Sequence, residues 1–294
     1  MTPSTVVCLF DDSGNLFDDW LSAGYKVMCV DLAPLSQRVT RPGVEHVVAD
    51  LRLPLALPVD DGQVVFVSAH PPCDHLAVSG ARWWKGKGLR ALADSIHMFA
   101  TAADYCEKSG APYTIENPVS GVSSHWRSPD FIYSPWQYSG FDERDYYTKK
   151  TCLWVGGGFV MPPPFYDEAR YAKGVAQRKA VLAKHGRKRA AQAVQDEQPD
   201  YPDSRIFNAG GRAKAYARSV TPKGFGRAVF LSNCSAANTV DDHYRKPQNA
   251  LPRNPEEVER SSDCTRPVEG ASAEGASAAV ASAEQPHRLF EDLV

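Results

Sequence analysis

Short apolar runs recur through residues 1–160, separated by polar stretches or by segments that are apolar at a helical period. The runs Thr5–Phe10, Lys26–Asp31, His46–Ala49, Val64–Ala69, Tyr113–Glu116 and Cys152–Val155 are short and rich in β-branched residues, which predicts buried strands. Between the fourth and fifth, apolar side chains at Leu89, Leu92, Ile96, Phe99, Ala100 and Ala103 follow a helical spacing, and Ser109-Gly110 supplies a stop. This predicts a helix over Leu89–Lys108. Strands alternating with helices imply an α/β chain with a doubly wound, mostly parallel sheet covered on both faces.

The rhythm changes after Val160, where Met161-Pro-Pro-Pro164 opens a region whose middle is basic. Lys173, Arg178, Lys179, Lys184, Arg187, Lys188 and Arg189 occur without an acidic residue among them, on a helix expected from Tyr171 to His185 or beyond. Two readings stand: a solvated helix face, or an element that contacts phosphates. Phe225–Leu231 reads as a short helix that returns to the sheet. Gly270-Ala-Ser-Ala-Glu274 and Gly275-Ala-Ser-Ala-Ala279 are low-complexity sequence, short of the large apolar residues that would offset ordering entropy. The expected organisation is a catalytic, cofactor-binding domain over 1–160, a small basic region over 161–220, a returning helix over 221–235, and a largely disordered tail over 236–294.

Composition narrows the class. The chain has 294 residues, 43% of them hydrophobic, enough to fill one sizeable core. Met1–Phe10 carries no basic stretch followed by a long apolar run, and no segment reaches the roughly 20 apolar residues a membrane span needs. A cytoplasmic protein is expected. Seven cysteines, widely spaced and without a C-x-x-C pair, argue against a disulfide framework or a zinc site, so no metal is expected. Cys8, Cys29, Cys106 and Cys152 lie in apolar or helical patterns and read as small buried hydrophobes. The net charge of -2 averages over segments of opposite character.

Polar residues gather where the strands end. After the first comes Phe10-Asp11-Asp12-Ser13-Gly14, a turn in which Gly14 allows backbone to approach a ligand and helix amides face an anionic group. Asp31 ends the second strand, placed to accept hydrogen bonds from ribose hydroxyls, and Asp50 ends the third, within reach of an adenine amino group. For each of these, a loop-capping aspartate is the alternative. The fourth strand leads into His70-Pro71-Pro72-Cys73-Asp74-His75, where two prolines stiffen the loop and fix the direction of the thiol. The fifth leads into Glu116-Asn117-Pro118. His70 and His75 flank the thiol and read as local structural residues.

Pro71-Pro72-Cys73 followed by Glu116-Asn117-Pro118 resembles the Pro-Pro-Cys and Glu-Asn-Val signatures of the cytosine-5 DNA methyltransferases. Tyr147-Thr-Lys149-Lys150-Thr151-Cys152-Leu153-Trp154 stands where that family carries Gln-x-Arg-x-Arg, and Gly224–Val229 is similar to its final motif. The wording His-Pro-Pro-Cys, followed by Leu76-Ala77-Val78-Ser79-Gly80, is most similar to short members carried by bacteriophages, and the resemblance spans residues 5–235.

The resemblance implies a Rossmann-like methyltransferase fold and S-adenosylmethionine as cofactor, held by Phe10, Asp11, Ser13, Gly14, Asp31, Asp50 and Pro71. Cys73 would be the thiolate that adds to carbon 6 of cytosine, Glu116 the acid that holds the base, and Lys150 the counterpart of the arginine that contacts the base oxygen. Cytosine-containing DNA would be the partner, contacted by Arg82 and Trp84 in the loop after Cys73 and by Lys173, Arg178, Lys184 and Arg187. Packing of Trp83 and Trp84 within their loop is the alternative for that segment.

The chain departs from the family pattern at Asp12, where a glycine is usual, at Asp74, where a glutamine is usual, and at Thr148 and Lys150, where arginines are usual. These departures keep open an altered substrate, free nucleotide or RNA cytosine, and an altered S-adenosylmethionine donor. A DNA-binding protein without catalysis is a further alternative. The short 161–220 segment implies low sequence specificity, since groove readout needs an element that reaches base edges.

Overall fold

The apolar runs assemble into a seven-stranded mixed sheet of order β3-β2-β1-β4-β5-β7-β6. The structure, a computed structural model, describes residues 4–11, 15–32, 42–53, 55–59, 61–190, 197–202 and 220–234. All of these lie in the first of two units, Met1–Gln248; the second, Asn249–Val294, and the whole 236–294 segment lie outside the described residues.

β1 (Thr5–Leu9), β2 (Lys26–Asp31), β3 (Val44–Val48), β4 (Val64–Ala69) and β5 (Tyr113–Pro118) pair in parallel. β7 (Thr151–Gly156) runs antiparallel to β5, and the short edge strand β6 (Phe131–Tyr133) runs antiparallel to β7. The fold is α/β and Rossmann-like. β5 extends two residues past the predicted Glu116 because the reversed β7 continues the ladder to the pair Pro118–Thr151. β6 has only three residues, two of them exposed, too short for a periodic signal.

Both faces of the parallel strands are covered, as their near-continuous apolar sequences require. Val7 and Leu9 of β1 point into one layer, with Phe99, Ala102 and Cys106 of a long helix and with Trp154 of β7. Val6 and Cys8 point into the other, with Trp20, Phe66, Phe225 and Val229. The helices are α1 (Asp18–Ser22), α2 (Trp84–Ser109), α3 (Val122–His125), α4 (Glu168–Ala190) and α5 (Lys223–Asn233). Trp20 anchors the second layer, with ring centroids 5.3 Å from Phe66 and 5.2 Å from Phe230. Burial of each such aromatic side chain stabilises the fold by roughly 1.5–3 kcal/mol.

α2 begins five residues before the predicted start at Leu89, passing through a kink at Gly88, whose φ of 81° lies in the region glycine favours. Its buried face is Ser95, Phe99, Ala102, Ala103 and Cys106. Three residues of the predicted stripe therefore lie off it: Leu89 is 84% exposed, Ile96 46%, and Ala100 is exposed as well. α5 is seated against α1, with Lys223 paired to Asp18 at 3.1 Å and Arg227 to Asp19 at 3.3 Å. Gly224 makes that seat possible, since its amide donates to the Asp145 carboxylate at 2.7 Å and a Cβ there would overlap the Tyr138 carbonyl. No helix among the described residues is long and apolar enough to cross a membrane.

Candidate active site

β1 and β4 are neighbours although β2 and β3 lie between them in sequence, so strand order reverses at this point and a crevice opens at their carboxyl ends. The loop after β4 carries Cys73, and the carboxyl end of β5 carries Glu116. The two segments are clasped. Asn117, 1% exposed, donates from Nδ2 to the Pro71 carbonyl at 2.9 Å. Val78 N–H donates to Val119 at 3.0 Å and Gly121 N–H to Leu76 at 3.1 Å, extending the contact along both loops. The Cys73 carbonyl accepts from the Leu76 and Ala77 amides at 3.0 and 2.8 Å, which closes a turn and holds the half-buried thiol in place.

Glu116 is 10% exposed and both of its oxygens are engaged: Oε1 by Lys149 Nζ at 3.5 Å, Oε2 by His70 Nδ1 at 3.4 Å. Burial pushes the carboxyl up, but the Lys149 charge and the His70 hydrogen bond outweigh it and hold the group at about 2. His70 Nε2 lies 2.9 Å from Ser68 Oγ, which lies 3.2 Å from Thr114 Oγ1. For His70, burial works downward and is overcome by Glu116, with Asp11 adding to the upward shift. The Cys73 thiol is raised by burial and by Asp74, while Lys149 works in the opposite direction. One ammonium thus bears on the acid and on the thiol.

Lys150, the sequence-predicted basic partner, is exposed, and its neighbour Lys149 makes the contact. Side chains alternate across an extended chain, so an offset of one residue reverses the face presented. His70, Ser68 and Thr114 carry no spacing signal of their own in the sequence; the parallel pairing of β4 with β5 sets Ser68 opposite Thr114, with His70 just past the end of β4.

At the end of β1, Phe10 has a φ of 60°, uncommon for a residue with a side chain, directly at the strand-order reversal. Its amide donates to Val30 at 2.8 Å, tying the turn to the end of β2. Asp11 follows, its carboxylate 3.3 Å from the Cys8 thiol, and Asp31 sits half-buried at the end of β2. Ser13 and Gly14 lie outside the described residues. Acidic side chains at the ends of β1 and β2 fit a ligand with ribose hydroxyls and a cationic centre. Asp50 does not offer a free carboxylate: Arg52 engages both oxygens, at 2.8 Å from Nε and 2.6 Å from Nη2, and lowers it to about 2. The loop-capping alternative describes it, with Arg52 N–H donating to Oδ1 at 3.0 Å. Pro71 is buried in the clasp. Cys8, Asp11 and His70 each bring one ligand-type atom within 4.8 Å of the others, but both imidazole nitrogens already face Glu116 and Ser68. The imidazole serves as a hydrogen-bonding group there.

The predicted nucleic-acid residues fall into two groups. Arg82 is exposed on the turn Val78–Trp83 before α2, and Trp84 is half-buried with an indole N–H that has no partner among the described residues. Trp84 lines a cavity of about 340 Å³ with His75, Lys85, Gly88, Leu89 and Leu92. That cavity is separate from the Cys73–Glu116 cluster; His75 is held by Ser95 at 3.2 Å. The basic residues of α4 meet the segment 197–202: Lys173 pairs with Asp200 at 2.8 Å, Lys184 with Glu197 at 3.1 Å, and Arg178 donates to Gln198 at 3.2 Å. The Arg187 side chain lies outside the described residues. Lys173 and Lys184 lie on a solvated face, 68% and 66% exposed, with their charges answered by Asp200 and Glu197 within the chain.

The chain matches no known family model, and no curated protein matches its sequence.

Proposed function

We propose that this chain is an S-adenosylmethionine-dependent cytosine-5 methyltransferase acting through a covalent Cys73 adduct. One observation carries the reading: the Cys73 loop and the Glu116-Asn117 strand end, which hold the two motifs of the resemblance, are locked together by the buried Asn117–Pro71 hydrogen bond at the strand-order reversal. The Rossmann-like sheet supports the methyltransferase fold as the finer description. The Phe10–Asp11 turn and Asp31 would hold the cofactor, which supplies an electrophilic methyl group to the crevice.

Cytosine carbon 5 is a poor nucleophile until sulfur adds at carbon 6. Cys73 rests as a thiol under burial; its proton leaves to water before the addition, and Lys149 favours the thiolate so formed. As the S–C6 bond forms, the ring electron pair shifts to carbon 5 and ring nitrogen 3 takes up a proton through Glu116. After carbon 5 has been alkylated, it loses its proton to water, the S–C6 bond breaks and Cys73 leaves as thiolate. Lys149, against Glu116 Oε1, stabilises the negative charge that the acid carries once the proton has passed.

Free dCMP and RNA cytosine belong in the same test as duplex DNA, because pairing of Lys173 and Lys184 with Asp200 and Glu197 removes cations from the count available to duplex phosphates. Nucleoside mass spectrometry after incubation with S-adenosylmethionine and each substrate, with Cys73→Ala as control, tests the reading. A Cys73-dependent gain of one methyl mass on deoxycytidine from DNA is the expected result. A product only from dCMP or RNA moves the substrate, and no product from any of the three overturns the reading.

A further inference from the structure

The resemblance gives His70 no role beyond its place in the wording His-Pro-Pro-Cys, yet it is the hub of the polar network. Its ring lies between two strands, with Nδ1 facing Glu116 on β5 and Nε2 facing Ser68 on its own strand, itself seated against Thr114. A carboxylate can only accept, so the nitrogen facing Glu116 carries a hydrogen. The hydroxyl pair on the other side can either accept from Nε2 or donate to it, and so serves the charged and the neutral imidazole alike.

Glu116 has a matching difficulty. Lys149 and His70 make it a firm anion, whereas holding ring nitrogen 3 through an adduct requires a proton on that side of the base. We infer that His70 is a positioning residue that orients the Glu116 carboxyl and stores the proton that Glu116 passes to the cytosine ring. This rests on the methyltransferase reading. On sulfur addition the Nδ1 proton moves to the carboxyl group and a carboxyl proton moves to ring nitrogen 3, leaving His70 neutral and Glu116 again an anion. On expulsion of Cys73 the proton returns by the same path. One negative charge is present before and after: thiolate, carboxylate and imidazolium become adduct, carboxylate and neutral imidazole.

Four groups face the ring from the surrounding elements: Glu116 from β5, Asp11 and Cys8 from β1 and the turn after it, and Lys149 from the approach to β7. Burial opposes the cation, Lys149 adds to that opposition, and Glu116 and Asp11 prevail, so the resting imidazole holds its proton to higher pH than an ordinary histidine.

The test uses the full chain with the substrate that proves active. NMR titration of the histidine rings gives the His70 midpoint in wild type and in Glu116→Gln, and kcat is followed against pH in wild type, His70→Gln and His70→Ala. The expected results are a lower His70 midpoint in Glu116→Gln and an alkaline fall in wild-type kcat at that histidine's own midpoint. His70→Gln, which keeps an N–H toward Glu116, should lose that alkaline limb and about 10²-fold in kcat, with KM for S-adenosylmethionine little changed. A retained limb in His70→Gln, or a His70 midpoint indifferent to Glu116→Gln, overturns the inference and leaves the methyltransferase reading intact. A wild type inactive on every substrate overturns that reading, and the proton's destination with it.

Discussion

Two charged regions of this chain present similar lists of residues and behave differently. Around Glu116 an anion meets Lys149 and His70 at 3.5 and 3.4 Å with little solvent contact, while along α4 Lys184 and Lys173 meet Glu197 and Asp200 at 3.1 and 2.8 Å near the surface. The distances are shorter in the second region, yet its pairs are the weaker ones, because water competes for both partners and screens their attraction. In the first region two cationic partners are held against one carboxyl, and the Lys149 charge and the His70 hydrogen bond outweigh the burial that opposes ionisation and hold it at about 2.

The sharpest way to break this comparison is at the lysine pair. Lys149→Met is expected to lower kcat about 10²-fold, the scale of removing one stabilising donor, while Lys150→Met leaves it within about threefold. Steady-state methyl transfer by the two variants checks this, and equal losses would show that the register at 149–150 is not as described.

The same pair has a pH signature. The folded Glu116 carboxyl lies at about 2 against an ordinary 4.5, so its ionisation favours the folded state above pH 4.5, and that contribution is lost as pH falls toward 2. In Lys149→Met the carboxyl titrates higher, so its contribution above pH 4.5 is smaller, its loss on acidification is complete at higher pH, and the acid midpoint moves up; acid titration followed by circular dichroism measures the midpoint. An unchanged midpoint would mean that Lys149 does not carry the shift.

A smaller effect is expected at the clasp. Asn117→Ala leaves the Pro71 carbonyl without its donor and should cost about 1–3 kcal/mol in chemical denaturation, with a further loss of activity because the Cys73 loop is no longer tied to β5.

The smallest effect belongs to α4. Glu197→Gln should change stability by less than about 1 kcal/mol, as expected of an exposed pair. If Lys184 reaches phosphate in a complex, removing its competitor raises affinity for duplex DNA, and Lys184→Met reduces the salt slope of binding by about one. Titrations at several salt concentrations separate these outcomes, and a stability loss as large as that of Asn117→Ala would erase the distinction between the two regions.

Local pattern was enough to determine a good part of the molecule. β2 and β4 span their predicted residues, and β1 ends one residue short, because consecutive apolar and β-branched positions have few uses other than a strand covered on both faces. The cysteines read as small buried hydrophobes, Cys8, Cys29, Cys106 and Cys152, are all buried, since each lies in an apolar or helical pattern. Cys73 and Glu116 were placed at one edge by the same reasoning, each following a strand of a parallel sheet.

What periodicity could not decide was left to contacts between distant parts of the chain. Asn117 meets Pro71 across 46 residues, and Glu116 meets Lys149 across 33, a pairing fixed by the register of the reversed β7 and not by the composition of the Lys149-Lys150 pair. The Asp200 and Glu197 partners of α4 are connected to it by no helical spacing, and Leu89 and Ile96 are exposed because the face that α2 turns to the sheet runs through Ser95, Phe99, Ala102 and Cys106. His70 reads as a loop residue along the chain and becomes the centre of a network only when β4 and β5 pair. A sequence fixes which side chains can be buried, whereas which of them meet is settled by chain closure, where a one-residue change of register exchanges one face for the other.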